Sequence, residues 1–136
     1  MARIEIAVRS ILMADPVVSA LVGDRIYPHI MPEGEDFPAV TYTVLDDADE
    51  VITGPTGLIE ADVELTAWAR GSQTTSGYTT ARDLARAVRD ALLGFRGVVE
   101  GVHIYSVTGG TVGEAVPDES TEIWQAWISL HVMARE

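Results

Sequence analysis

The chain of 136 residues has no cysteine and no lysine. Without cysteine there is no disulfide, no thiolate nucleophile, and no cysteine-held zinc or iron–sulfur site. The nine basic residues are all arginine, against 21 acids, for a net charge of −12. Tight binding to a phosphate backbone needs cationic side chains, so a conventional nucleic-acid reader is disfavoured. Long apolar runs are also missing, which argues against a bilayer span, and the opening MARIEIAVRSILMADP lacks the pattern of a secretory signal. The expectation is a soluble protein made in a cytoplasm, with no membrane partner.

What is present suits one folded domain over residues 1–136, with 47% hydrophobic and 22% charged residues. Ile59, Ala61, Val63, Leu65, Ala67 and Ala69 alternate with Glu60, Asp62, Glu64, Thr66, Trp68 and Arg70. Strict alternation over this length predicts a strand with one dry face and one acidic face. After Gly71–Gly77 the period becomes helical. Tyr78, Ala81, Leu84, Ala85, Val88, Ala91, Leu92 and Phe95 share one side; Arg82, Arg86 and Arg89, with Asp83 and Asp90, share the other.

The rest of the chain is read by the same rules. A first helix is expected from Arg3 to Ala14. Asp15 caps a short second helix with Pro16 at its first position, and Gly23 ends it. Residues 24–37 read as a structured loop, with a short edge strand over Arg25–Tyr27. Strands follow at Ala39–Leu45, within Val98–Val107, and at Glu122–Met133. The expected fold is α+β: a four-stranded, mostly antiparallel sheet with two main helices on one face, in helix–hairpin–helix–hairpin order. Two long connections join the strands, an acidic turn at Asp46–Gly57 and a glycine-rich one at Thr108–Thr121.

No residue constellation points to catalysis. His29, His103 and His131 lack metal-ligand spacing. Gly109-Gly110-Thr111-Val112-Gly113 has neither the lysine of a phosphate loop nor the dinucleotide fingerprint. Asp46, Asp47, Asp49 and Glu50 lack the spacing and the central glycine of a helix–loop–helix calcium site. Neither a cofactor nor a metal is expected. Trp68 and Trp127 fall on the sheet face that the helices do not cover, which favours self-association. The alternative is that both lie under loops of their own chain. The stripe Arg82, Arg86, Arg89 either pairs locally with Asp83 and Asp90 or meets Glu60, Asp62 and Glu64 of a neighbour.

The segment from Asp15 to Pro28 (DPVVSALVGDRIYP) resembles the opening of the phage tail completion proteins, as does Phe37-Pro38-Ala39-Val40-Thr41-Tyr42. Trp68-Ala69 at a strand end, followed by the Ala/Leu-rich helix Ala81–Leu93, continues the likeness. In layout it is also similar to the tail terminators and head–tail joining proteins of long-tailed phages and phage-like gene transfer agents. The resemblance implies a structural virion protein, not an enzyme. It would form a ring, usually of six, that caps the tail tube, ends its growth and offers the head a docking surface, with DNA passing through without specific binding. Its partners would be other copies of itself, the tail tube protein and a head-neck connector protein. Its place would be the tail end or neck of the particle, assembled in the host cytoplasm. The expected subunit contacts are Trp68, Trp127, Arg82, Arg86, Arg89, Glu60, Asp62 and Glu64. The expected tube or neck contacts are Asp46, Asp47, Asp49, Glu50, Gly109, Gly110 and Glu114. Two other readings are a head-side connector or neck adaptor, and a small ligand- or metal-binding enzyme domain.

Overall fold

A computed structural model describes residues 2–34, 36–45, 58–71, 76–113, 116–118 and 122–135. The helices are α1 (Ala2–Ala14), α2 (Pro16–Val22) and α3 (Gly77–Leu92). The strands are β1 (Ile26–Pro28), β2 (Ala39–Val44), β3 (Leu58–Arg70), β4 (Gly97–Val99), β5 (Val102–Val112), β6 (Val116–Asp118) and β7 (Ile123–Arg135).

Local chemistry sets the helix starts. The Asp15 carboxylate accepts from the backbone N–H groups of Val17 and Val18 at 2.9 and 3.0 Å, and Pro16 occupies the first turn of α2. Gly23 then closes the helix with φ of 60°. Ser76 caps α3, its hydroxyl accepting from the Thr79 N–H at 3.2 Å. Each cap satisfies donors that a helix start would otherwise leave open.

The strands form one sheet in the order β1-β2-β3-β7-β5-β4, with β6 paired to the start of β7. β1 runs parallel to β2, and every other pairing is antiparallel. The centre is β3 against β7, in unbroken register from Leu58↔Arg135 to Arg70↔Ile123. One face of this ladder carries Ala61, Val63, Leu65, Ala126, Ile128 and Leu130, all buried. α3 lies over it with Ala81, Leu84, Ala85, Val88 and Leu92, and α1 adds Ile4, Val8 and Leu12.

The four-stranded, two-helix expectation is overturned: the sheet is mixed, curled as a half-barrel and built from more strands, with three helices. Three features account for the difference. The run after α3 is a hairpin rather than one strand, because Glu100 and Gly101 take φ of 50° and 79° and turn β4 back onto β5 in two residues. The second long connection is partly strand, since β5 continues to Val112 and β6 pairs with β7. β1 joins the sheet alongside β2, in parallel. The expected β2–β3 hairpin pairing is present. β3 and β5 are parallel to each other but do not touch, because β7 lies between them.

Candidate functional site

The face of the sheet turned away from α3 carries the polar half of the alternation. On β3 it presents Glu60, Asp62, Glu64, Thr66, Trp68 and Arg70; on β7 it presents Gln125, Trp127, Ser129 and His131. The register sets Asp62 opposite His131, Glu64 opposite Ser129, Thr66 opposite Trp127 and Trp68 opposite Gln125. Asp62 and Glu64 are exposed, and Trp127 keeps 44% of its surface in solvent. Gly113 closes the inner edge of Trp127: its N–H donates to the Trp127 carbonyl at 2.7 Å, and a Cβ there would stand 3.5 Å from the indole.

His131 ties the acidic strip together. Its Nδ1 lies 2.8 Å from Asp62 and its Nε2 3.4 Å from Glu60. The hydrogen bond to Asp62 raises its pKa; partial burial opposes this, and Glu60 adds to the rise. This histidine, which has no metal-ligand spacing in the sequence, bridges two carboxylates. Alternation along β3 and β7 places all three on one face, but only the register brings them together.

The two tryptophans differ in their setting. Trp68 is half-buried, and its Nε1–H donates to the buried Thr41 hydroxyl at 3.0 Å. Residues 29–34 and 36–37 pass over this end of the sheet. Together they enclose a cleft of about 650 Å³, lined by Trp68, Arg70 and Ile123 below and Ile30, Met31 and Phe37 above. Trp68 is therefore largely satisfied within its own chain, whereas Trp127 stands open.

The arginine stripe lies on the other side of the molecule. Arg82 sits 5.7 Å from the Tyr78 ring centroid, and Arg89 is 3.1 Å from Asp90, a contact too exposed to add much. Arg86 is exposed and has no ion-pair partner among the described residues. The helix covers the buried face of the sheet and the acids occupy the opposite face. Arg82, Arg86 and Arg89 therefore cannot reach Glu60, Asp62 and Glu64 of the same chain.

Gly109 and Gly110 lie within β5, not in a loop. Their φ values of 91° and 88° accompany a break in the β5–β7 register between Gly109 and Thr111. A Cβ on Gly109 would approach the Ser129 carbonyl to 3.1 Å, so the bulge needs glycine there. Asp46, Asp47, Asp49, Glu50 and Glu114 lie outside the described residues. Among the described residues, no group of three or more His, Asp or Glu could hold a metal ion.

The pattern of a family described as "Tail completion protein gp17" matches residues 6–108. Among curated proteins, none matches the chain. A solved chain from the virion of a native gene transfer agent particle superposes with a TM-score of 0.71 at 22% identity, covering 96% of this chain and 92% of that one. That likeness is one of fold.

Proposed function

Because the chain belongs to the tail completion family, whose members are structural proteins of phage tails, we propose that copies of it close into a six-membered ring on the end of the tail tube. The ring ends tube growth and gives the head its docking surface, at the neck of a phage or of a gene transfer agent particle. The observation that carries this reading is the two-sidedness of the protomer. An acidic strip with an open tryptophan faces one way, and an arginine stripe on α3 faces the other. Complementary surfaces on opposite sides join copies head to tail, and a head-to-tail contact that closes makes a ring.

Charge supports the passage of DNA. Six copies at −12 each would carry −72, so the bore would repel the polyanion rather than hold it.

Mixing the purified protein with tail tubes and, separately, with filled tailless heads tests the reading. Electron microscopy of the tubes should show a ring at one end and no further growth when tube protein is added. Preferential binding to the heads would replace the proposal with a head-side connector. A protein that stays monomeric and binds neither would overturn it.

A further inference from the structure

Both ring nitrogens of His131 meet a carboxylate, Nδ1 at 2.8 Å from Asp62 and Nε2 at 3.4 Å from Glu60. A neutral imidazole has a single N–H, so one of its nitrogens would turn a lone pair towards an acid. The imidazolium donates at both nitrogens and satisfies both contacts. The geometry therefore fits the protonated ring and not the neutral one.

Other groups facing the ring do little to change this. β3 contributes Glu60, Asp62 and Glu64, with Arg70 eight residues beyond Asp62. From β5, Thr108 lies opposite His131, between Ser106 and Thr111, and none of the three titrates. Arg135 is four residues further along β7, about 13 Å, opposite His103, which stacks on Tyr105. The helices cover the other face of the sheet. Glu60, Asp62 and Glu64 with a neutral ring thus carry three negative charges, and with the imidazolium two.

These groups are open to a partner. His131, Glu60 and Asp62 keep 43%, 41% and 56% of their side chains in solvent. A hollow of about 440 Å³ beside the ring is lined by Asp62, Glu64, Ser129 and His131, with no arginine or lysine in its wall. Its charge suits an incoming guanidinium. Such a group would bring like charge to His131 and compete for the carboxylates that hold its proton.

We propose that His131 is a proton switch on the contact between copies: as imidazolium it holds Glu60 and Asp62 within the protomer, and losing its proton frees them for the α3 arginines of a neighbour. The proposal rests on the ring reading and adds its regulation. In the free protomer the hydrogen bond to Asp62 raises the pKa of His131 above 6.5, against partial burial and with help from Glu60. The neighbour's arginines lower it again. Assembly therefore releases a proton and tightens as pH rises through the free protomer's value. One guanidinium about 7 Å away, at an effective dielectric of about 40, gives a change of about five- to tenfold. A chain of net charge −12 would otherwise do the reverse, since added negative charge drives copies apart.

Sedimentation of the full-length protein at pH 5.5 and pH 9 tests the switch. The wild type should assemble about five- to tenfold more tightly at pH 9. His131→Asn should assemble equally at both, or less tightly at pH 9, and should exceed the wild type at pH 5.5. Calorimetric dilution of the assembly in buffers of different ionisation heat should show proton uptake on dissociation, up to one per contact, absent in the variant. Equal or weaker wild-type assembly at pH 9 overturns the switch, as does a variant with the wild-type pH response; either result leaves the ring standing. Histidine NMR of the monomer that shows His131 titrating below 6.5 also overturns it. A protein that assembles at neither pH, even on tail tubes, discards the ring and the switch with it.

Discussion

Gly77→Ala is the sharpest test of how α3 is seated. Gly77 follows the Ser76 cap as the first residue of α3 and is buried. A Cβ built there would run into Cδ1 of Trp124, and would lie 2.9 Å from its Nε1 and 2.8 Å from the Gly71 backbone nitrogen. Two of these atoms belong to one rigid indole and the third to the main chain, so no flexible side chain can swing clear. Trp124 also meets the Tyr78 ring, edge-to-face at 5.6 Å. Overpacking of this kind costs about 1–3 kcal/mol. The better helix propensity of alanine returns at most about 1 kcal/mol. The net expectation is a loss of about 1–2 kcal/mol, read in urea unfolding at unchanged slope. For a chain of this size that corresponds to a fall of roughly 3–10 °C in melting temperature. In a Trp124→Leu background the indole is gone and only the Gly71 contact remains, so the same substitution should cost less, by about 1 kcal/mol. If Gly77→Ala raised the melting temperature, or cost the same in both backgrounds, the described seating of α3 on Trp124 would be wrong.

Further expectations concern the two sides of the protomer. Trp127→Ala removes an indole with 44% of its surface free; burying about 100 Å² of it at a contact is worth about 2–3 kcal/mol, so sedimentation should show weaker assembly. A protein with Arg82, Arg86 and Arg89 all changed to glutamate should fail to assemble alone, as should one with Glu60, Asp62 and Glu64 changed to arginine. Mixed together they should assemble, because each then offers what the other lacks. His131→Asn tests the acidic strip by pH. The folded pKa of His131 is raised, so its stabilisation is complete below the unfolded value near 6.5 and fades as pH rises through the folded value. The melting gap between wild type and variant should be open at pH 5.5 and closed by pH 9. It should be small, because the side chain is 43% exposed.

The central strand and the main helix were readable because their periods are set by burial on one side. β3 was expected from Ile59 to Arg70 and runs from Leu58 to Arg70; α3 was expected from Tyr78 and starts at Gly77. Its apolar stripe runs on to Phe95, past the helix end at Leu92: Leu93 is already extended and Gly94 takes φ of 78°. The β4–β5 hairpin did leave a signal, Glu100-Gly101 between two apolar runs, although asparagine or aspartate before glycine marks such turns more plainly. The parallel docking of β1 left none, since three residues carry no period. The acidic face of β3 was legible from alternation alone. The cleft was not, because the path of residues 29–34 and 36–37 over Trp68 depends on the tertiary fold, and so does the meeting of His131 with Glu60 and Asp62.

The strand at the middle of the sheet comes last in chain order. β7 separates β3 from β5, yet it begins at Ile123, more than fifty residues after β3 has ended. Until it arrives, β3 and β5 each expose a row of unpaired backbone groups, the condition that invites strands from other chains. Pairing so distant in sequence is also slow to form. During synthesis, at roughly 5–20 residues per second, the nascent chain therefore spends seconds with its longest ladder half-built. A chaperone that shields the β3 edge should raise the yield of this protein, and a chain cut before Ile123 should aggregate instead of yielding a smaller domain.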